Sequence, residues 1–208
     1  MKIVYEPVRV KIRDLKKVQD LINDIPSPKA LVTTIQYLGD AEKINGCSLC
    51  AQILGCNVDA LKRFHGKNIV YLGTGRFHPL MVKFFFPDRE VFIVNPETLG
   101  TGKITEKDIY VFKSRISAGL DALKHARKVG IIVSIKPGQQ KLEQAIFLKK
   151  KLERQGRKAY IFLFDNVNPE EFHNHKLDVL VNTACPRIGL DDASFFNIPV
   201  INIEFIRQ

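Results

Sequence analysis

The sequence has no tryptophan, only two methionines and only four cysteines among its 208 residues. It also lacks any apolar stretch of the roughly 18 residues that a membrane-spanning helix requires. The first five residues lead directly into a charged segment, so no secretory signal is expected there. These absences argue against a membrane protein and predict a cytoplasmic one, where thiols stay reduced. The cysteines are therefore expected to be metal ligands or buried thiols and not disulfides.

Acidic residues are scarce relative to basic ones: 22 Asp and Glu against 32 Lys and Arg give a formal charge of +10. Such a charge would suit an acidic partner such as RNA or an acidic protein surface. The lysines, however, are spread over presumed helix surfaces, as in residues 149–151, and are not gathered with aromatic residues as in an RNA-reading motif. A solvated face is favoured, and nucleic acid is not an expected partner.

Short runs rich in Val and Ile alternate with longer amphipathic stretches, a pattern typical of parallel strands covered by helices. The sequence thus predicts an α/β fold with two small parallel-sheet domains, residues 1–98 and 106–208, separated at a segment that carries Pro96, Gly100 and Gly102. Strands are predicted at 30–37, 68–73, 90–94, 130–135, 159–164, 179–183 and 199–203, and helices at 13–23, 78–85, 106–128, 139–155 and 169–172.

Two groups of cysteines could carry chemistry. Cys185 directly follows the predicted strand 179–183, and Pro186 restricts the chain just past its sulfur. Ligands of open α/β sheets gather at such strand ends. Cys47, Cys50 and Cys56 form a close run, whose CxxC pair would suit zinc, an iron–sulfur cluster or redox exchange. Small residues packed in a helix would explain Cys47 and Cys50 equally well.

Two glycine-containing loops could hold an anionic ligand. Gly73 and Gly75 lie between a predicted strand and a helix, where backbone N–H groups can bind a carboxylate or phosphate. The third glycine of a dinucleotide fingerprint is absent, because position 78 is His78. A second loop ends in the amides of Gln139 and Gln140, which could orient a polar ligand. Ordinary turn chemistry is the competing interpretation of both loops.

These pieces, in this order, resemble the archaeal diphthamide synthase family, the 2-(3-amino-3-carboxypropyl)histidine synthases. The Thr-Ala-Cys-Pro-Arg stretch and the glycine-rich Phe-His loop are distinctive in combination. The matching stretches are 31–37 (LVTTIQY), 53–56 (ILGC), 71–78 (YLGTGRFH), the Gly138-Gln139 turn and 183–187 (TACPR).

The resemblance implies three related α/β domains, each giving one cysteine to a single [4Fe–4S] cluster that binds S-adenosylmethionine. It implies transfer of a 3-amino-3-carboxypropyl group to a histidine of translation elongation factor two. Carried over by motif, Cys56 is expected to be the ligand of a middle-type domain and Cys185 that of a last-type domain. The residues then expected around S-adenosylmethionine are Gly73, Gly75, His78, Gln139, Gln140 and Arg187.

The sequence departs from the family in two places. The family's first domain, with its cysteine, has no counterpart, and the segment 37–55 is shorter than usual. A partner chain could supply the missing domain and cysteine, or Cys47 or Cys50 could replace that ligand. The partner chain is favoured, because a contiguous run of cysteines does not guarantee the required backbone geometry. Two other functions stay open: a non-catalytic scaffold that binds elongation factor or RNA, and a zinc-stabilised domain that uses Cys47, Cys50 and Cys56.

Overall fold

The computed structural model describes residues 4, 6–55 and 57–206, which form two compact units divided between Ile109 and Tyr110. Each unit is a mainly parallel sheet with flanking helices, so the predicted α/β class is confirmed. The first unit extends past the predicted limit at residue 98, because strand 101–103 pairs with the first sheet. The assignment of the units to a middle-type and a last-type domain stays a prediction.

The first sheet has five strands in the order β2-β1-β3-β4-β5. Its first four strands are parallel, and β5 joins the edge antiparallel to β4. The central strands β1 and β3 are almost entirely buried, which explains their continuous apolar sequence. The strands are β1 Lys29–Thr33, β2 Leu49–Gln52, β3 Asn68–Leu72, β4 Glu90–Val94 and β5 Thr101–Lys103.

Helices pack beside this sheet. The first begins after Asp14, whose carboxylate accepts a hydrogen bond from the Lys17 N–H at 2.9 Å, a common helix N-cap. It buries Val18 and Ile22 against the sheet core. The helices are α1 Leu15–Asn23, α2 Leu38–Ala41 and α3 Phe77–Phe85, with a 3₁₀ helix at Asp59–Arg63.

Besides the 3₁₀ helix at Asp59–Arg63, two strands and one α-helix of the first unit were missed by the sequence prediction. The segment 37–55 contains α2 and the edge strand β2, and residues 101–103 form β5. The predicted strand 30–37 already ends at residue 33, because the Tyr37 N–H donates to the Thr34 carbonyl and turns the chain. All three missed elements are short, and a four-residue strand at a sheet edge leaves little periodicity to detect.

The second sheet has four parallel strands in the order β7-β6-β8-β9. Its strands are β6 Lys128–Ser134, β7 Lys158–Phe164, β8 Val179–Asn182 and β9 Val200–Asn202. Its helices are α4 Glu106–His125, which begins in the first unit, and α5 Leu142–Arg154, with 3₁₀ helices at Pro169–Phe172, Asp192–Phe195 and Ile203–Phe205.

Both units use the same strand order. Numbered within each unit, the parallel strands run 2-1-3-4, so each sheet has a topological switch point between its first and third strands. Open α/β sheets bind ligands at this point, outside the carboxyl ends of the strands. Among the described residues, no helix is both long enough and apolar enough to cross a membrane.

Candidate functional site

Cys185 lies at the carboxyl edge of the second sheet, beside its switch point. It follows the buried strand β8, which pairs with β6 on one side and β9 on the other. The residue is partly exposed. Arg187, two residues on, places its Nε 3.1 Å from the Asp191 carboxylate. The geometry presents one cysteine where this fold binds ligands.

Two buried asparagines support the backbone around Cys185. Asn182 and Asn202 end β8 and β9, and they are paired neighbours with 0% exposed surface. The Asn182 Nδ2 donates to the Asn202 Oδ1 at 2.6 Å and to the Cys185 carbonyl at 2.9 Å. The Asn202 Nδ2 donates to the Pro186 carbonyl at 2.7 Å. The sequence analysis missed both residues; its only signal was a polar residue at the end of an apolar strand.

The loop after β6 brings Gln139 and Gln140 to the same edge of the second sheet. Gly138 has φ +78°, and the Gln139 N–H donates to the Lys136 carbonyl at 3.1 Å, closing a turn. Gln140 is exposed and lines an open cavity at the start of α5. The structure therefore places Gln139, Gln140, Cys185 and Arg187 on loops at one edge of this sheet.

The loop after β3 holds Gly73 and Gly75 at the corresponding edge of the first sheet, and His78 lies in the first turn of α3. His78 stacks on the buried ring of Tyr71 with ring centroids 5.6 Å apart, and its Nδ1 is 3.4 Å from the Tyr71 hydroxyl. Burial raises the pKa of Tyr71 to about 12, so the hydroxyl stays protonated. That hydroxyl also lies 3.3 Å from the Thr74 carbonyl, which it can serve as a donor. Tyr71 thus supports this loop through its contacts with Thr74 and His78.

Gly73→Ala is expected to destabilise the first unit by about 1–3 kcal/mol, the usual effect of overpacking. A Cβ at position 73 would lie 2.6 Å from the Tyr71 hydroxyl oxygen, and that ring is buried and cannot move away. Urea unfolding measures the change. In Gly75→Ala the new Cβ meets nothing within 4 Å, and the cost comes from φ +79° alone. A Gly73→Ala variant as stable as the parent would contradict the tight packing.

Cys47 and Cys50 lie elsewhere on the first unit. Cys50 is in β2, not in a helix, and Cys47 precedes that strand, at the edge opposite the Gly73 loop. Both thiols are partly buried against the core, and burial is the main cause that raises the pKa of each, that of Cys50 to about 11. Because thiolates are the metal-binding form, this environment disfavours ligation. Cys56 lies outside the described residues.

A complete metal site is absent from the described residues. Within 4, 6–55 and 57–206, no three His, Cys, Asp or Glu side chains come together in a way that could hold a metal ion. A single thiol at the edge of the second sheet can act as one ligand, and further donors must then come from elsewhere. The assignment of the predicted site residues stays a prediction.

Comparison with known proteins shows the family. The family model described as "Putative diphthamide synthesis protein" matches residues 1–204. The 2-(3-amino-3-carboxypropyl)histidine synthase of Methanocaldococcus jannaschii is 36% identical over 84% of this chain and 49% of its own length. The synthase of Pyrococcus horikoshii is 34% identical over 72% of this chain and 42% of its own length.

A solved structure shares the fold. The crystal structure of Dph2 from Pyrococcus horikoshii with a 4Fe-4S cluster superimposes with a TM-score of 0.77 at 27% identity, covering 93% of this chain and 61% of that one. Two mainly parallel sheets with flanking helices, the second with a cysteine beside its switch point, define an α/β protein. The chain belongs to the diphthamide synthesis family. It spans about half the length of the curated relatives that it matches.

Proposed function

We propose that this chain provides Cys56 and Cys185 as two ligands of a [4Fe–4S] cluster in a 2-(3-amino-3-carboxypropyl)histidine synthase. The observation that carries the proposal is the position of Cys185, a partly exposed thiol at the carboxyl edge of a sheet whose fold matches a cluster-containing protein. Cys56 is included because of its sequence motif, Ile53-Leu54-Gly55-Cys56. When bound, the cluster supplies the electron that cleaves S-adenosylmethionine for transfer of its 3-amino-3-carboxypropyl group.

The two proposed ligands, Cys56 and Cys185, are one short of the set that a cluster requires. A cluster with one open iron needs three protein thiolates, and the described residues bring no three metal-binding side chains together. The third thiolate is proposed to come from a partner chain. Cys47 and Cys50 are poorer candidates, because burial raises the pKa of both thiols and Cys47 precedes β2 at the amino-terminal edge of the first sheet.

The loops at the strand ends are proposed to bind S-adenosylmethionine. Thr74 and Gly75 are exposed between β3 and α3, and a helix N-terminus favours a carboxylate. On the second unit, Gln139 and Gln140 offer amide donors and acceptors at the edge where Cys185 lies. Arg187 would bind the substrate carboxylate by releasing Asp191. The acceptor is proposed to be a histidine of translation elongation factor two.

Anaerobic reconstitution with iron and sulfide tests this function. We expect the chain alone to retain little iron, and the chain mixed with a partner that supplies the third cysteine to form a stable cluster. Iron and sulfide analysis, visible absorption and electron paramagnetic resonance of the reduced sample follow the cluster. With elongation factor two and S-adenosylmethionine, mass spectrometry should then show one added 3-amino-3-carboxypropyl group.

Failure to form a cluster, alone and with every chain of the same organism that carries a homologous domain, would falsify the proposal. The scaffold alternative makes a different prediction: salt-sensitive binding to elongation factor that survives Cys56→Ala and Cys185→Ala together. The zinc alternative requires one tightly held zinc per chain after aerobic purification. Metal analysis of the same preparation separates it from the cluster.

A further inference from the structure

We propose that Asn182 and Asn202 are positioning residues that fix the backbone on both sides of the Cys185–Pro186 bond, so that the thiol is preorganised for cluster ligation. The ligation step rests on the proposed function, whereas the positioning can be measured on the metal-free chain. The two asparagines are called the asparagine pair below. They come from different strands and meet directly below the loop that carries the thiol.

The hydrogen bonds of the asparagine pair converge on the cysteine loop. Asn182 accepts from the Ala184 N–H at 3.0 Å and donates to the Cys185 carbonyl at 2.9 Å. Asn202 donates to the Pro186 carbonyl at 2.7 Å. The Asn182–Asn202 bond of 2.6 Å joins these contacts into one network. Three consecutive residues, 184–186, are therefore held through their main chains, and the thiol itself is left unoccupied by the pair.

The chemistry of the amide suits this task. An asparagine offers a donor and an acceptor without charge, so both strand ends can be fully buried and still satisfy the backbone polar groups of the loop. A carboxylate at either position would add a negative charge near a thiolate and would have no N–H to donate. Buried networks that are fully bonded fix one conformation, because each broken bond would leave a polar group unpaired.

A residue that follows Cys185 in the loop also packs against the Asn202 amide. Gly189 lies against the Asn202 amide so closely that an added Cβ would be 2.3 Å from its Oδ1. The loop also closes on itself, since the Ile188 N–H donates to the Cys185 carbonyl at 3.1 Å. The Cys185 carbonyl thus receives one bond from the strand and one from its own loop. No other residue type could occupy position 189 without displacing the amide.

Three variants test the proposal on the metal-free chain: Asn202→Leu, Gly189→Ala and the control Asn197→Leu. Asn197 is exposed and contacts His173, outside the asparagine pair, so its variant makes the same change in the same unit without touching the loop network. Hydrogen exchange of residues 183–190 reports on the loop, and exchange of β6 reports on the sheet. Iodoacetamide labelling, resolved by peptide mass spectrometry, gives the reaction rate of Cys185.

Asn202→Leu and Gly189→Ala are expected to speed exchange of residues 183–190 and labelling of Cys185 by about tenfold, as expected when a buried carbonyl loses its partner. Protection of β6 should persist, and Asn197→Leu should match the parent. With cluster loaded, both variants should retain iron about tenfold to a hundredfold more weakly, as for other groups that orient metal ligands. The electron paramagnetic resonance spectrum of the reduced cluster should be broader in both variants than in Asn197→Leu.

Two results would overturn the proposal. In the first, Asn202→Leu and Gly189→Ala keep β6 protection and show the loop exchange and Cys185 labelling of the parent. In the second, both variants lose β6 protection, which would make the pair a requirement for folding of the whole unit. If instead the parent never forms a cluster with any partner, the proposed function fails, while the loop measurements on the metal-free chain still decide the role of the asparagine pair.

Discussion

Cys185→Ala is expected to abolish cluster assembly, lowering iron retention by more than about a hundredfold, which exceeds the effect typical of groups that only orient ligands. The thiol is the one described cysteine at the carboxyl edge of a sheet, and the asparagine pair holds its backbone in place. Removing it would leave this chain with Cys56 as its sole proposed ligand. Iron analysis after anaerobic reconstitution with the partner chain, followed by desalting, measures the loss.

Cys50→Ala is the matched control for that experiment. Cys50 is partly buried in the core beside β1, so its removal should lower stability modestly and leave the cluster intact. If Cys50→Ala or Cys47→Ala removed iron as completely as Cys185→Ala, the third ligand would come from within this chain, and no partner cysteine would be needed. The pair of results therefore locates the missing ligand.

The apolar strands inside the sheets were predictable from sequence, because interior strands of parallel sheets have nearly uninterrupted apolar runs. Residues 90–94 were predicted with the observed bounds of β4, and 68–73 exceeds β3 by one residue. The short edge strands β2 and β5 and the short helix α2 were not predicted. Their formation depends on pairing with or packing on a neighbour that the local sequence does not reveal. Tertiary context decided those elements.

The candidate site, like the fold, could be predicted from sequence only in part. The position of Cys185 at a strand end followed from an apolar run that stops just before it, and the structure places it there. The supporting residues could not be found from sequence, because Asn182 and Asn202 are separated by 20 residues in the chain and meet only through the β8–β9 register. Cys47 and Cys50 were suggested as ligands by their close sequence spacing, and the structure adds that both pack against the core. Their role as ligands stays a prediction.

A second class of residue is also hidden from sequence reasoning, the buried lysine. Lys29 begins β1 with only 3% of its surface exposed, although lysine is normally a surface residue. Its Nζ donates to the carbonyls of Ile22 and Ile25, each at 2.6 Å, and more distantly to that of Asn23 at 3.4 Å. These carbonyls lie at the end of α1, where the last carbonyls lack helical partners and the helix dipole favours a cation.

Lys29→Met is therefore expected to destabilise the first unit by about 3 kcal/mol, because it keeps most of the apolar stem but removes two charge-assisted hydrogen bonds to buried carbonyls. The Ile22 carbonyl still accepts from the Ile25 N–H at 3.2 Å, which limits the loss. That loss is a large share of the roughly 5–15 kcal/mol that stabilises a typical protein. Native-state hydrogen exchange of β3 measures it, since that buried strand exchanges only when the unit opens.

Lys43→Met provides the comparison, because the Lys43 ammonium makes a surface ion pair with Asp40 and should contribute less than about 1 kcal/mol. A Lys29→Met variant whose β3 exchange matched that of Lys43→Met would show that water reaches the end of α1 and replaces the ammonium. The expected contrast follows from burial: the same side chain stabilises strongly where its hydrogen bonds are shielded from water, and weakly where solvent competes for them.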